Sequence, residues 1–304
     1  YPDPESTALR RTIAAQHGLA PEQVFVGNGS DEVLAHAFFA FFQQRGPLLV
    51  PDITYSFYQV YCGLYGIVQR VVPLDATLRL DVEAFAVAEG QDVAGVVVAN
   101  PNAPTGIGIP LAQIERLLQL HPQRVVLVDE AYVDFGGETA MGLISQYPNL
   151  LVVHTLSKSR SLAGLRVGFA CGQAHLVEGL NRVKNSFNSY PLDRLAQAGA
   201  VAAMEDVAYF ESTRQAVMNT REGLALQLED MGFVVLPSQA NFIFVRHPGH
   251  DAADIAAALR AQGVLVRHFR LPRIAQYLRI SIGTPAQCDS LVGALRGILA
   301  QFGM

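Results

Sequence analysis

Lys158 is the residue whose type and setting most directly suggest chemistry. The 304 residues include twenty arginines but two lysines, Lys158 and Lys184. A desolvated lysine can lose its proton near neutral pH and form a Schiff base with a carbonyl group, whereas a guanidinium stays charged and unreactive. Lys158 is therefore a candidate reactive amine. The alternative interpretation is an arginine-rich composition with two surface lysines, and no motif supports a second functional amine at Lys184.

A candidate partner for such an amine is Asp129, which follows the apolar run 125–128 and begins the motif Asp-Glu-Ala-Tyr. A carboxylate in this position also occurs on the metal-holding strand of nucleotide triphosphatases. Their phosphate loop requires Gly-Lys-Ser/Thr. The two lysines here follow a serine and a valine, so neither fits that loop and this class of protein is not supported. Asp129 is therefore expected to cap a helix or to pair with another positive group. A hydrolytic dyad of Ser157 and Lys158 would need an oxyanion hole and gives Asp129 no role.

Two turns rich in glycine, asparagine and proline follow other apolar runs. Residues 27–32, Gly-Asn-Gly-Ser-Asp-Glu, precede a helical segment, where glycines and free N–H groups suit a phosphate. Glu32 replaces the third glycine of the dinucleotide fingerprint, so an ordinary capped turn remains an alternative. Residues 100–106, Asn-Pro-Asn-Ala-Pro-Thr-Gly, contain two X-Pro bonds, one of which could be cis, and either aim an amide into a cleft or form a surface turn.

The elements that must position these motifs alternate between short β-branched strands and longer helical segments. Such alternation is typical of βαβ units, and continuous apolar strands indicate coverage on both faces. We therefore predict an α/β fold with a mostly parallel sheet between helix layers, with ligands at the carboxyl ends of its strands. The strands are expected at 24–26, 48–50, 68–72, 93–99, 125–128, 150–155 and 165–171, after a helix at 6–16.

A smaller α/β domain is expected to follow the helical stretch 188–228. Its strands are predicted at 233–236, 242–245, 264–266 and 278–282, with a helix at 252–262 and a closing helix from 286. The chain then divides into an N-terminal arm and helix (1–18), a large domain (19–215) and a small C-terminal domain (216–304).

The charge balance favours small-molecule partners or a second copy of the chain. Net charge is −5 and the sequence has no Lys/Arg run, so the basic surface of a nucleic-acid or membrane-surface binder is not expected. No apolar run approaches the roughly 18 residues of a membrane span. The chain opens without a methionine or a charged-then-apolar leader, and we expect that an upstream segment is absent from it.

The cysteines and histidines do not indicate a metal or a disulfide framework. Cys62, Cys171 and Cys288 are far apart and odd in number, which fits a reducing cytoplasm. His247 and His250 have the spacing of a metal pair, but the Pro-Gly between them indicates a turn.

A reactive amine, a carboxylate, a phenol and an anion-binding turn at one sheet edge are the groups that pyridoxal phosphate requires. The amine forms the Schiff base, and a carboxylate keeps the pyridine nitrogen protonated so that the ring can accept electrons. Burial alone would raise the pKa of Asp129, whereas a pyridinium partner in low dielectric favours its charged form.

The motifs together resemble the fold-type I pyridoxal-phosphate aminotransferases, most closely the histidinol-phosphate aminotransferases. The resemblance spans almost the whole chain. It rests on Tyr-Pro-Asp-Pro at 1–4, the turns at 27–32 and 100–106, Val-Asp-Glu-Ala-Tyr at 128–132, Ser-Lys at 157–158, Leu-Arg-Val-Gly at 165–168, Ala-Asn-Phe at 240–242 and Leu-Arg-Ile-Ser-Ile-Gly-Thr at 278–284.

The resemblance implies roles for individual residues. Lys158 would form the Schiff base, Asp129 would pair with the pyridinium and Tyr132 would bond the phenolate oxygen. Tyr1 would reach the cofactor phosphate of the neighbouring subunit, and Arg279 would clamp the acidic group of the substrate, unless it is a surface ion pair. The remaining implied residues are Gly29, Ser30, Thr155, Ser157 and Arg166 at the phosphate, Asp31 beside them, Tyr55 against the ring, and Asn241 at the substrate.

The chain departs from the family pattern in two places. Ala103 stands where an asparagine usually precedes Pro-Thr-Gly, so Asn102, Asn100 or water must supply the phenolate contact, and Asn102 is the first choice. The N-terminal arm that normally covers the substrate is also missing from the sequence.

The activity implied by the resemblance is transamination in a cytoplasmic homodimer with a shared active site. The first-choice reaction, from histidine biosynthesis, converts histidinol phosphate and 2-oxoglutarate to imidazole acetol phosphate and glutamate. Transamination of aromatic or other amino acids, or decarboxylation of threonine phosphate, is the alternative on the same scaffold. A cofactor-sensing domain of a transcriptional regulator is the non-enzymatic alternative.

Overall fold

A seven-stranded sheet forms the centre of the larger part of the molecule. The computed structural model describes residues 1–88 and 90–302. The strand order is β1-β7-β6-β5-β4-β2-β3, and β7 alone runs antiparallel to its neighbours. This confirms the mostly parallel sheet. The strands are β1 (Val24–Asn28), β2 (Leu48–Pro51), β3 (Gln69–Val72), β4 (Gly95–Ala99), β5 (Val126–Asp129), β6 (Leu150–Thr155) and β7 (Val167–Gly172).

Helices cover both faces of this sheet because successive strand residues are apolar on both sides. On one face Leu127 and Leu151 pack with residues from α2 (Gly29–Phe42), α3 (Phe57–Tyr65) and α5 (Ala174–Phe187). On the other face Val126 and Leu150 pack with α1 (Thr7–His17), α4 (Leu111–Leu120) and α6 (Arg194–Glu205). The result is the three-layer α/β arrangement expected from the sequence.

A second, antiparallel sheet has the order β10-β11-β9-β8. Its strands are β8 (Val234–Val235), β9 (Phe242–Arg246), β10 (Arg267–His268) and β11 (Leu278–Ser281), packed with α7 (Val207–Asp230), α8 (Ala252–Ala261) and α9 (Pro285–Phe302) around a core of their own. The strand predicted at 264–266 is wrong. Pairing begins at Arg267, where the chain first meets β11 after leaving α8 through Gly263, which has φ +80°.

The division of the chain into three parts remains a prediction. The proposed boundary at 215 lies inside the continuous helix α7, and residues 303 and 304 of the proposed small domain lie outside the described residues. Across the described part of the chain, the helices are too short or too polar to cross a membrane.

Two neighbouring parallel strands bring the central motifs to one edge of the large sheet. In the β5–β6 pair, Asp129 is aligned with Val153, so the loops after both strands leave the sheet side by side. The first turn of α2 reaches the same edge because β7 approaches it at a glycine. A Cβ on Gly168 would lie 2.3 Å from the Ser30 backbone nitrogen, so only a glycine allows this contact.

Candidate active site

Asp129 is a buried carboxylate at the end of β5, with 5% of its surface exposed. Its Oδ2 atom accepts a hydrogen bond from the Tyr58 hydroxyl at 2.8 Å, and its Oδ1 atom accepts one from the Ala131 backbone N–H at 3.2 Å. Burial raises the pKa of Asp129 to about 6, and the Tyr58 and Ala131 hydrogen bonds oppose that shift. The carboxylate therefore has no ion-pair partner in the part of the chain that the structure describes, and it suits a cationic ligand group.

Glu130, the next residue, serves a different purpose from Asp129. Its buried carboxylate accepts hydrogen bonds from the Thr139 hydroxyl, the Ala140 N–H and the His154 Nε2 atom, the last at 2.8 Å. Burial disfavours a charged His154, but Glu130 outweighs it and raises the pKa of the imidazole. This pair joins β5 to β6 beneath the site.

Lys158 lies three residues beyond the end of β6, with its side chain exposed to a cavity beside Asp129. The surrounding protein lowers the pKa of its ammonium, and the charge of Arg279 lowers it further. Its Nζ atom is 5.5 Å from the ring centre of Tyr132. The lowered pKa favours a neutral, nucleophilic amine at this point.

The start of α2 and the end of the β6–β7 connection form an anion-binding corner. Arg166 has a left-handed backbone (φ 53°) and places its guanidinium against Gly29, where a Cβ would lie 2.5 Å from Nη2. The same Nη2 is 3.1 Å from the Asp31 carboxylate. The N–H groups of the first helical turn and a fixed guanidinium together suit a phosphate.

Tyr55 closes the side of this corner. Its hydroxyl donates to Asp31 Oδ1 at 3.2 Å, and burial followed by the Asp31 charge raises the pKa of the phenol well above its usual value. Thr155 is buried, and its hydroxyl oxygen accepts the Ser157 N–H at 3.1 Å. The chain after β6 is therefore held in a tight turn immediately before Lys158.

A cavity of about 670 Å³, partly open to solvent, connects these groups. Nine residues predicted from the sequence line it, and Gly29 lies behind Arg166 as described above. The nine are Ser30, Asp31, Tyr55, Asp129, Tyr132, Thr155, Ser157, Lys158 and Arg166. An amine, a carboxylate, a phenol and an anion-binding corner thus face one volume.

The role of Asn102 at the phenolate oxygen remains a prediction, and in the structure its amide has other partners. Asn102 lines a neighbouring cavity, and its amide N–H groups donate to the Ile53 carbonyl and the Thr105 hydroxyl at 2.9 and 3.1 Å. One N–H is therefore used inside the 100–106 turn, whose two X-Pro bonds are cis, and the other is used by Ile53 outside it. Ala103 is the residue of this turn that lines the site cavity together with Pro101.

A second cavity of about 1280 Å³ adjoins the first and shares Tyr55 and Ala103 with it. Arg267, Arg270 and Arg279 line it. The Nε of Arg279 is buried without a hydrogen-bond partner, and its guanidinium carbon lies 5.1 Å from the ring centre of Phe242. Three guanidinium groups around one cavity, with the buried Nε of Arg279 lacking a hydrogen-bond partner, suit an anionic ligand.

Arg267 and Arg270 were not identified from the sequence. They lie on and after the two-residue strand β10, which has no recognisable apolar pattern. The sequence feature that could indicate Arg267 is its spacing from Arg279. The two residues are 12 positions apart, which is short enough for them to pair across a β-hairpin.

Other predicted residues lie away from these cavities. Tyr1 is 94% exposed, stacks on Tyr190 at 5.2 Å between ring centres, and is held through its carbonyl by Arg194. Asn241, immediately before β9, accepts the Ile282 N–H through its backbone carbonyl and does not line either cavity. Their binding roles remain predictions.

The residues considered for other chemistry also have defined positions. Lys184 is buried and donates to the Pro4 carbonyl at 2.9 Å, so it anchors the N-terminal segment. The rings of His247 and His250 are 4.5 Å apart. No group of three or more metal-binding side chains occurs within residues 1–88 and 90–302.

Comparison with known proteins places the chain in a family. Residues 1–295 match the family model described as aminotransferase class I and II. A histidinol-phosphate aminotransferase of Acetobacter pasteurianus is 60% identical over 299 residues, covering 98% of this chain and 83% of the relative. Histidinol-phosphate aminotransferase 1 of Pseudomonas aeruginosa is 60% identical over 295 residues, covering 97% and 83%.

A solved structure agrees with these sequence matches. The histidinol-phosphate aminotransferase of Sinorhizobium meliloti, solved in complex with pyridoxal 5′-phosphate, superposes with a TM-score of 0.88. It is 25% identical, and the alignment covers 99% of this chain and 83% of that one. The chain therefore belongs to the class I and II aminotransferases.

Proposed function

We propose that the chain is a pyridoxal-phosphate-dependent aminotransferase that transfers the amino group of histidinol phosphate to 2-oxoglutarate. The products are imidazole acetol phosphate and glutamate, in histidine biosynthesis. The observation that carries the proposal is the position of Asp129 and Lys158 after adjacent parallel strands, facing one cavity with Arg166. The names of the relatives at 60% identity support the choice of substrate.

The residues of the cavity fit the cofactor group by group. Asp129 is a buried carboxylate with no ion-pair partner among the described residues and suits the pyridine nitrogen, while Ser30 at the start of α2 and Arg166 before β7 suit the phosphate. Lys158 would hold the aldehyde carbon, and Tyr55 and Tyr132 would flank the ring. When bound, pyridoxal phosphate supplies a ring that accepts the electrons of the substrate carbon.

Lys158 then has two tasks. Its amine would hold the cofactor aldehyde, and its Nζ, when free, would serve as the base for the proton on the substrate carbon that bears the amino group. The pKa of this amine is lowered by the enclosing protein and then by the charge of Arg279, which favours the neutral form that a base requires.

The arginine-lined cavity supports a phosphorylated donor. Arg267 and Arg279 are opposite each other in the β10–β11 ladder, and both line the cavity that opens beside Tyr55. Two cations facing one another repel unless an anion lies between them. A phosphate dianion satisfies both, and in the second half-reaction the carboxylate of 2-oxoglutarate takes the same place.

Single-turnover absorbance spectra with a panel of amino donors test this assignment. We expect histidinol phosphate to convert the bound cofactor to its amine form faster than phenylalanine does. Faster conversion by phenylalanine would show that the donor is aromatic, and release of CO₂ from threonine phosphate would show that the enzyme is a decarboxylase.

A homodimer is part of the proposal. α3 presents Phe57, Val60 and Leu64 on one exposed face, with exposures of 41%, 51% and 69%, and Phe39 and Phe187 form a further exposed contact at 6.1 Å. Apolar surface of this extent is typical of a protein interface. Three buried free cysteines suit a reducing compartment, and we place the enzyme in the cytoplasm.

Mixing two variants that each lack one cofactor-binding residue tests the shared site. If Tyr1 serves the partner's cofactor phosphate, a mixture of Lys158→Ala and Tyr1→Ala chains should contain mixed dimers with one complete site each. Tight cofactor binding should then return on mixing, and a mixture no better than the separate variants would argue against the shared site.

A further inference from the structure

We propose that Tyr58 is a positioning residue that keeps the proton shared by Asp129 and the cofactor on the ring nitrogen. The inference rests on the proposed function, because the shared proton exists only when the cofactor is bound. Tyr58 itself does not line the cavity. Tyr58 stands behind Asp129 on α3 and touches the carboxylate from the protein side.

Among the described residues, the Tyr58 hydroxyl has one hydrogen-bond partner, and close packing around its ring holds it in place. Its residue surface is 1% exposed, and its hydroxyl donates to Asp129 Oδ2 at 2.8 Å. Phe38 stacks against its ring at 6.0 Å, and Tyr55, a cavity residue, meets it edge to face at 5.5 Å. A buried hydroxyl in this packing is costly unless its hydrogen bond is made, so the donor stays aimed at Asp129.

Among the described residues, Tyr58 is the side chain that hydrogen-bonds Asp129. The other donor is the Ala131 backbone N–H, so each carboxylate oxygen has one donor from the protein. The titratable groups that face Asp129 from other elements act through space. They are Asp31 on α2, Tyr61 on α3, His154 on β6, and Tyr55, Tyr132 and Lys158 on the loops.

The position of the shared proton depends on these donors. Burial alone drives Asp129 toward its neutral acid, and it raises the pKa of this carboxyl to about 6 in spite of both hydrogen bonds. A donor to the carboxylate stabilises its charged form, so it favours the proton on the ring nitrogen. Loss of the Tyr58 donor would move the proton toward Asp129 and weaken the ring as an electron acceptor.

The ¹⁵N chemical shift of the ring nitrogen in bound, ¹⁵N-labelled pyridoxal phosphate reports this proton directly. We expect the wild-type enzyme to give a pyridinium shift and Tyr58→Phe to move it toward the neutral pyridine value, with about tenfold weaker cofactor binding. Tyr61→Phe is the matched control on the same helix. It removes a hydroxyl that donates to the Asp31 carbonyl at 2.9 Å, and it should keep the wild-type shift.

A wild-type shift in folded Tyr58→Phe would overturn the inference and leave the proposed function intact. A wild-type protein that fails to bind the cofactor would instead overturn the proposed function. If Tyr58→Phe does not fold, Tyr58→3-fluorotyrosine keeps the ring and makes the hydroxyl a stronger donor. The shift should then move further toward the pyridinium value, and no movement or the opposite movement would refute the role of Tyr58.

Discussion

Arg267 and Arg279 are directly opposite each other in the antiparallel pair β10–β11, so both side chains leave the same face of the small sheet. Both line the cavity beside Tyr55, and the Nε atom of Arg279 is buried without a partner. Like charges in this arrangement disfavour the ligand-free state. The arrangement is therefore best explained by an anionic group of the substrate that binds between them.

Arg279→Gln should raise the KM for histidinol phosphate on the order of 100-fold, because it removes one partner of a buried charged contact. The preference for histidinol phosphate over histidinol, measured as the ratio of their kcat/KM values, should fall by a similar factor. Arg279→Lys should recover part of the loss, since it restores charge without the planar fork.

Arg260→Gln is the control for this substitution. Arg260 is exposed in the last turn of α8, so the change removes one positive charge without touching the cavity. An unchanged preference for histidinol phosphate in Arg279→Gln would show that the phosphate binds elsewhere.

The pH dependence of stability should reveal the buried Asp129. Burial raises its pKa from 3.8 to about 6, so the folded, cofactor-free protein binds this proton more tightly than the unfolded chain. This stabilisation of the folded state is roughly 3 kcal/mol. It is fully present below pH 4 and is lost as pH rises through about 6. Asp129→Asn lacks this titration.

Denaturant unfolding of both cofactor-free proteins between pH 4 and pH 8 measures the difference. The free energy of unfolding of the wild type should fall relative to that of Asp129→Asn as pH rises. Because His17 and other groups titrate in both proteins, the difference reports Asp129 together with its charge interaction with His154. Parallel curves would mean that the carboxyl is not perturbed by burial.

Gly168→Ala should damage the anion-binding corner. The added Cβ would lie 2.3 Å from the Ser30 nitrogen and 2.4 Å from the Gly29 carbonyl carbon, and backbone atoms cannot yield as a flexible side chain can. We expect a loss of about 2 kcal/mol or more in the free energy of unfolding, together with weaker cofactor binding.

Gly164→Ala is the matched control, because its added Cβ would meet no atom within 4 Å. Its free energy of unfolding should stay within about 0.5 kcal/mol of the wild type. The free energy of unfolding and the cofactor affinity are measured on the same samples of both variants. Equal values for the two variants would refute the close approach between β7 and α2.

The sequence predicted the large sheet well because its strands are continuous apolar runs that differ clearly from the helices. For the same reason the sequence alone predicts that residues at strand ends, such as Asp129 and Lys158, lie together. The runs at 125–128 and 150–155 match β5 and β6 almost to the residue.

The features that could not be predicted depend on short or non-local contacts. Arg267 lies on a strand of two residues, too short for any periodic pattern. Asn102 is chosen for the phenolate contact from its place in the sequence, and only the fold shows that its amide donates to Thr105 in its own turn and to Ile53, 49 residues away. Tyr58 belongs to an apolar helical face, and only the fold shows that its hydroxyl meets Asp129.

The most direct test of the central claim is to locate the covalent bond. The enzyme is mixed with pyridoxal phosphate, the imine is reduced with borohydride to a stable secondary amine, and the labelled peptide is identified by mass spectrometry. The chain has two lysines, Lys158 in the cavity and Lys184 buried against the N-terminal segment. We expect one label for each chain, on Lys158. A label on Lys184, or no label on either lysine, would contradict the account.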